Sequence, residues 1–381
     1  MEDRSIRGSE EQGATFVELF FDLVFVFAVT QVTAALAHDL TWGGVGRALV
    51  IFWLVWWAWT QFTWSLNEAD TEHAAVRLIT LVSTAVAFLM AVTVPLLTEP
   101  YGWLFPVSYL VLRVVGIGLQ IRLASQGGST TTAVKTWAFT SSLGLVAVAA
   151  AIVVPPAARY PALAVAALFD VFAALRAGRQ EWHLYPKHFA ERHGLFVIIV
   201  LGESLIAAGV TAAGQTLDAS VLIVTVTAVV ATCGLWWSYF GWVKESLEHR
   251  LAAQPLEAVG RFARDVYSFA HFPLIFGVIA FAVAVEESIA HPQDPLTTAG
   301  AAALVLGVIL IVGGTGLALV LASGRIPLVR RLALGLVAIS FPLLLRVEAW
   351  VALMLVTAVV VALPLTERPT PSLADRGVPA T

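Results

Sequence analysis

One cysteine, Cys233, stands among 381 residues, which rules out an internal disulfide and a thiolate metal site. Charge is nearly as scarce. Asp, Glu, Lys and Arg make up 13% of the chain, about half their share in soluble domains. The net charge is −4 and no basic surface suited to nucleic acid is visible. The chain also lacks a P-loop, a G-x-S-x-G elbow, an H-E-x-x-H zinc helix and a dinucleotide fingerprint. These absences argue for a protein that is not an enzyme, with no cofactor and no bound metal.

What fills the chain instead is apolar: 59% of residues are hydrophobic and the mean hydropathy is +0.85. Cutting at polar and Pro-Gly breaks yields twelve spans, at 16–37, 45–66, 75–97, 103–124, 134–154, 160–176, 192–213, 217–243, 262–289, 297–322, 328–346 and 347–366. Each is near the roughly 20 residues that cross a hydrocarbon core. The fold class expected is therefore an all-α integral membrane protein of about twelve transmembrane helices. The first span carries carboxylates and has no basic region or cleavage motif ahead of it, so it reads as a retained helix and not as a signal peptide. Under this count, 18 of the 22 Lys and Arg residues fall in the amino terminus, the even-numbered loops and the carboxyl tail. That bias puts both termini in the cytoplasm.

The chain also reads as duplicated. "ELFFDLVFVFAVTQ" (18–31) aligns with "ERHGLFVIIVLGES" (191–204), making Glu191 the counterpart of Glu18, and "WWAWTQF" (56–62) aligns with "WWSYFGW" (236–242). Six helices per copy is an even number, so both copies enter the membrane from the same side, as parallel repeats. The expected organisation is a cytoplasmic segment 1–15, a repeat 16–176, a cytoplasmic connector 177–191, a repeat 192–366 and a disordered cytoplasmic tail 367–381.

Three blocks, "VELFFDLVFVFAVTQVT" (17–33), "HFAERHGLFVIIVLGESLIAAG" (188–209) and "AHFPLIFGVIAFAVAVEESI" (270–289), resemble the bacterial low temperature requirement protein A family, from about residue 11 to 366. The resemblance implies a multi-pass protein of the bacterial inner membrane and brings no agreed activity with it. Phe21-Asp22 is also similar to the Phe-Ser-Asp motif that opens each six-helix repeat of a family of endolysosomal and bacterial potassium channels. Here Phe replaces the Ser, and Leu195 falls where the second repeat's Asp would stand.

Polar groups inside apolar spans cost several kilocalories, so each needs a reason. Glu18 and Asp22 are four apart and share a helix face. Glu18 fits a helix-start carboxylate at headgroup level, while Asp22, about 6 Å deeper, must face protein or water. Glu203 lies twelve residues into its span, near mid-bilayer, and needs a cation, water or a proton. Arg113 is equally central. Glu203 is its natural partner by charge, and Asp170 in "AALFDVFAAL" competes for it. His271 precedes Pro273, which frees a carbonyl one turn earlier, and it either relays protons or bonds a neighbouring helix. His183, His188 and His193 recur every five residues, a spacing that puts successive rings on different faces and favours a solvated connector over a metal site. Glu286 and Glu287 sit near the outer end and are expected in water.

The candidate pathway is thus Glu18, Asp22, Arg113, Asp170, Glu191, Glu203 and His271. The expected function is a proton-coupled transporter or ion-conducting protein, passing a proton, a cation or a small solute across the lipid bilayer. The alternative is a membrane sensor or cold-adaptation factor in which the charges only lock helices together.

Overall fold

The computed structural model of the chain describes residues 5–8, 13–127, 129–177 and 181–367. It is 84% helix. Among the described residues there is no β-strand, only the isolated bridges Arg7–Ala69 and Pro295–Glu348. The helices begin where the sequence supplies caps. The side chains of Thr41, Thr130, Asp218 and Thr297 accept from backbone N–H groups of the first turn that follows each, groups that would otherwise lack partners. In order they are α1 (Phe16–His38), α2 (Trp42–Glu68), α3 (Ala74–Val92), α4 (Leu104–Ser125), α5 (Thr131–Val153), α6 (Pro156–Ala177), α7 (Pro186–Ala213), α8 (Ala219–Phe240), α9 (Val243–Ala252), α10 (Leu256–Phe262), α11 (His271–Ala290), α12 (Thr298–Ser323), α13 (Leu328–Leu344) and α14 (Ala349–Thr366). A π-helical turn, Ala263–Phe269, joins α10 to α11.

Ten of these helical stretches are long and apolar enough to cross a membrane. The tryptophan-rich α2 and the 17-residue α13 fall outside the ten. The outer helices turn large apolar side chains such as Phe88, Leu168, Ile206 and Ile339 outward, as a surface in contact with lipid requires. By contrast α11 is buried almost all round. It packs on α12 through glycines: a Cβ on Gly277 would lie 2.7 Å from the Gly307 carbonyl oxygen. Such small residues let two backbones close up where lipid gives no hydrophobic drive.

Several expected boundaries shift. Helix α7 starts at Pro186, not at 192, because proline is preorganised for a first helical position. The stretch 328–366 is two helices, broken around Arg346. Two short helices, α9 and α10, interrupt the path from α8 to α11. Glu367, expected to open the tail, is buried and takes Arg330 at 2.6 Å. The same guanidinium donates to Thr315 and to the Ser238 carbonyl, tying α13 to α8, α12 and the end of α14. Arg330 therefore acts as a bolt between helices and not as a solvated loop charge. The rest of the expected tail, 368–381, lies outside the described residues, as does most of the segment 1–15.

Candidate functional site

The first turn of α1 explains Glu18. Thr15 precedes the helix, and Glu18 at the third helical position accepts from both the N–H and the hydroxyl of Thr15, each at 2.9 Å. This is the returning half of a capping box. The other carboxylate oxygen of Glu18 turns inward to Arg192 Nη1 at 2.6 Å. Asp22, one turn further, takes the rest of that guanidinium, Nη2 at 2.5 Å and Nε at 3.1 Å. Trp59 of α2 donates its indole N–H to Asp22 at 2.7 Å. His188 Nε2 lies 3.2 Å from Glu18, and its Nδ1 lies 3.1 Å from Asn67 Nδ2.

All five side chains are buried, Glu18, Asp22 and Arg192 completely. Glu18 is the helix-start carboxylate expected, and the cation that meets it comes from α7. Two carboxylates against one guanidinium leave one negative charge. Beside His188 a cavity of about 10 Å³, lined also by Gly8, Asn67 and Tyr185, has room for about one water.

The contacts also fix how α1 and α7 run. Glu18 meets His188 and Asp22 meets Arg192, each across 170 residues. Deeper, Thr30 lies beside Glu203. Early residues meet early ones and late meet late, so the two helices are parallel. Between the two polar levels lie Phe25, Val29, Phe196 and Val200, all buried. Glu203 itself is buried and faces Glu286 of α11 in addition to Thr30. Glu286, expected in water, is half-buried.

A bacterial low temperature requirement A family model matches residues 13–365, nearly the whole chain. The chain belongs to this family. It is 28% identical over 326 residues to an uncharacterized protein of Rhizobium meliloti (strain 1021), a match covering 81% of this chain and 77% of that protein. No solved structure matches it.

The structure brings only some of the other candidates of this family member together. Arg113 goes to Asp170 at 2.8 Å, with the Tyr109 hydroxyl accepting from Arg113 at 2.8 Å and donating to Asp170 at 2.9 Å. Asp170, the competitor, thus takes Arg113, and no ion pair joins Arg113 to Glu203 among the described residues. Glu191 points away from the buried cluster and accepts from the Ala14 N–H at 3.1 Å. The residue that Glu18 meets across α1 and α7 is His188. Asp22 faces Arg192.

His271 bonds the Tyr239 hydroxyl at 2.9 Å and reaches back to the Val266 carbonyl at 3.0 Å, inside the π-helical turn. His193 packs between Trp59, Tyr267 and His271, its Nδ1 on the Phe189 carbonyl at 2.9 Å and its Nε2 without a partner. His188 and His193 are therefore buried helix residues, against the expectation of a solvated connector. The described residues hold no metal-binding group of His, Cys, Asp and Glu. His183, outside the helices, sits below its ordinary pKa through burial and then through Arg7.

Arg192, His188 and Trp59 were not legible as site residues from sequence. One signal pointed to the first two. They form an i, i+4 pair of basic groups opening the second repeat, opposite in sign to Glu18 and Asp22.

Proposed function

We propose that this protein is a proton-coupled transporter or proton-conducting protein of the bacterial inner membrane. It is built as two parallel six-helix repeats with twelve spans and both termini in the cytoplasm. The observation that carries the reading is the buried cluster Glu18–Asp22–Arg192–His188, in which two carboxylates face one guanidinium and His188 borders a water-sized cavity. Ionisable groups are kept inside a membrane bundle at high cost, and proton relays are among the functions that repay it. Glu203 with Glu286 forms the second station of the route. The apolar layer between them makes this arrangement an occluded one, so transfer requires α1 and α7 to move apart.

Helix packing supports the repeats. In the first half α1 packs on α2 and α3, α2 on α4 and α6, α3 on α4, α4 on α5, and α5 on α6. Replacing these in turn by α7, α8, α11, α12, α13 and α14 reproduces every one of those pairings. Helices α9 and α10 are then an insertion in the second copy, and α2 and α13 complete twelve crossings.

The rival reading, a sensor or stability factor without transport, draws on the ion pairing itself, since Arg113, Arg192 and Arg330 each bind helices together. One experiment separates the two. In proteoliposomes with an internal pH dye, an imposed potential should drive proton flux through the wild type. Glu203→Gln should cut that flux at least tenfold with folding intact, and Glu203→Asp should retain part of it. A wild type that passes no proton under any imposed gradient or added solute would leave the structural reading standing.

A further inference from the structure

Away from the α1–α7 cluster, the described residues enclose a second cavity that this pathway does not use. It lies between α2, α4, α5, α6 and the π-helical turn, and Trp57, Trp64, Trp137 and Trp182 wall it. Its interior of about 50 Å³ has room for a few waters at the ~10–15 Å³ that each one needs.

Its polar lining is unusual because it is left unpaired. The Gln61 and Gln120 carbonyl oxygens, the Thr60 hydroxyl and the Trp57 indole N–H are all buried without a hydrogen-bond partner. Both amides are fixed in orientation. Gln61 Nε2 donates to the Arg113 carbonyl at 3.1 Å, and Gln120 Nε2 donates to the Glu68 carboxylate at 3.1 Å. Their free ends are therefore oxygens, and acceptors outnumber donors. An unpaired buried polar group is costly, so several around one cavity call for an occupant.

The charges nearby favour a cation. Glu68 stands behind Gln120 and polarises its amide, which strengthens the carbonyl as an acceptor. Arg264 also lines the cavity, but its guanidinium is spent on Asp265 at 2.6 Å and on the Ala174 carbonyl at 3.2 Å. The three oxygens match the directed N–H bonds of an ammonium group. They are too few for a bare alkali ion, which needs more oxygens around it.

We propose that this tryptophan-walled cavity binds a small ammonium-type cation, ammonium itself or methylammonium. The inference goes beyond the proton pathway and is tested without a gradient, so either can fail alone. The full-length protein in detergent, at constant pH and ionic strength, is titrated with ammonium or methylammonium chloride while tryptophan fluorescence and calorimetric heat are followed. Both salts should give a saturable response. Sodium, potassium and tetramethylammonium chlorides, which bring no N–H, should give none.

Thr60→Val removes a hydroxyl that bonds nothing in the cavity's empty state. The variant should fold as well as the wild type and weaken ammonium binding about tenfold or more, the scale of one charge-assisted hydrogen bond. A response equal for potassium and ammonium, no saturable response at all (a water-filled cavity only), or unchanged binding by a folded Thr60→Val protein overturns the proposal.

Discussion

Arg113 is the most exposed point of the structural argument, because its charge rests on one carboxylate. The guanidinium is fully buried, and its Nε and Nη2 have no partner. Among the described residues, Asp170 and the Tyr109 hydroxyl alone satisfy it. Asp170→Asn keeps the shape of the site and still accepts from Tyr109, so the change removes charge and little else. It leaves a buried cation uncompensated, which costs about 3–5 kcal/mol. That is a large fraction of the roughly 5–15 kcal/mol that holds a folded domain.

The assay is reversible unfolding in mixed micelles of increasing SDS fraction, followed by circular dichroism. Adding Arg113→Met to Asp170→Asn removes the stranded cation with a flexible apolar side chain, and should recover at least about half of the loss, since apolar replacements of buried pairs are often neutral. Glu203→Gln should unfold as the wild type does, because Glu203 pairs with no cation among the described residues, so no buried charge is stranded by the change. A fully stable Asp170→Asn protein, or a double variant no better than the single, would refute the reasoning.

Other outcomes follow from the same geometry. Asp22→Asn should destabilise the protein more than Glu18→Gln, by about 1–3 kcal/mol in the same unfolding assay. Asp22 takes two of the three Arg192 nitrogens, whereas Gln at position 18 still accepts from Thr15. Equal losses would mean that the two carboxylates are interchangeable.

Asp218 caps α8 through the Val221 N–H at 2.9 Å, and hydrogen bonds, the Ser220 hydroxyl first, hold its pKa below the ordinary aspartate value. A lowered folded pKa adds stability above the unfolded value that is lost as pH falls through the folded one. Asp218→Ala should therefore melt below the wild type at pH 7, and the two curves should converge in strong acid. A gap that persists below pH 2 would assign the effect to something other than the carboxylate's charge.

Composition and periodicity alone determined the class of this protein. A chain so apolar, with breaks every twenty-odd residues, has to satisfy its backbone within helices inside a membrane. The carboxylates in those helices were legible as anomalies for the same reason, since each is costly wherever it lies. Their partners were not. Glu18 and Asp22 meet His188 and Arg192 across 170 residues, a distance over which no local pattern in the sequence ties one residue to another. Arg113 has two candidate carboxylates in the sequence. Only the packing of α4 against its neighbours selects Asp170 over Glu203.

The unpaired oxygens around the tryptophan cavity are invisible in sequence, where Gln61, Gln120 and Thr60 are ordinary polar residues on apolar helices. Helical period fixes which residues share a face. Which face meets which is decided by the global arrangement of helices, and in a membrane that arrangement is set by close packing and by pairing buried charges, both properties of the folded whole.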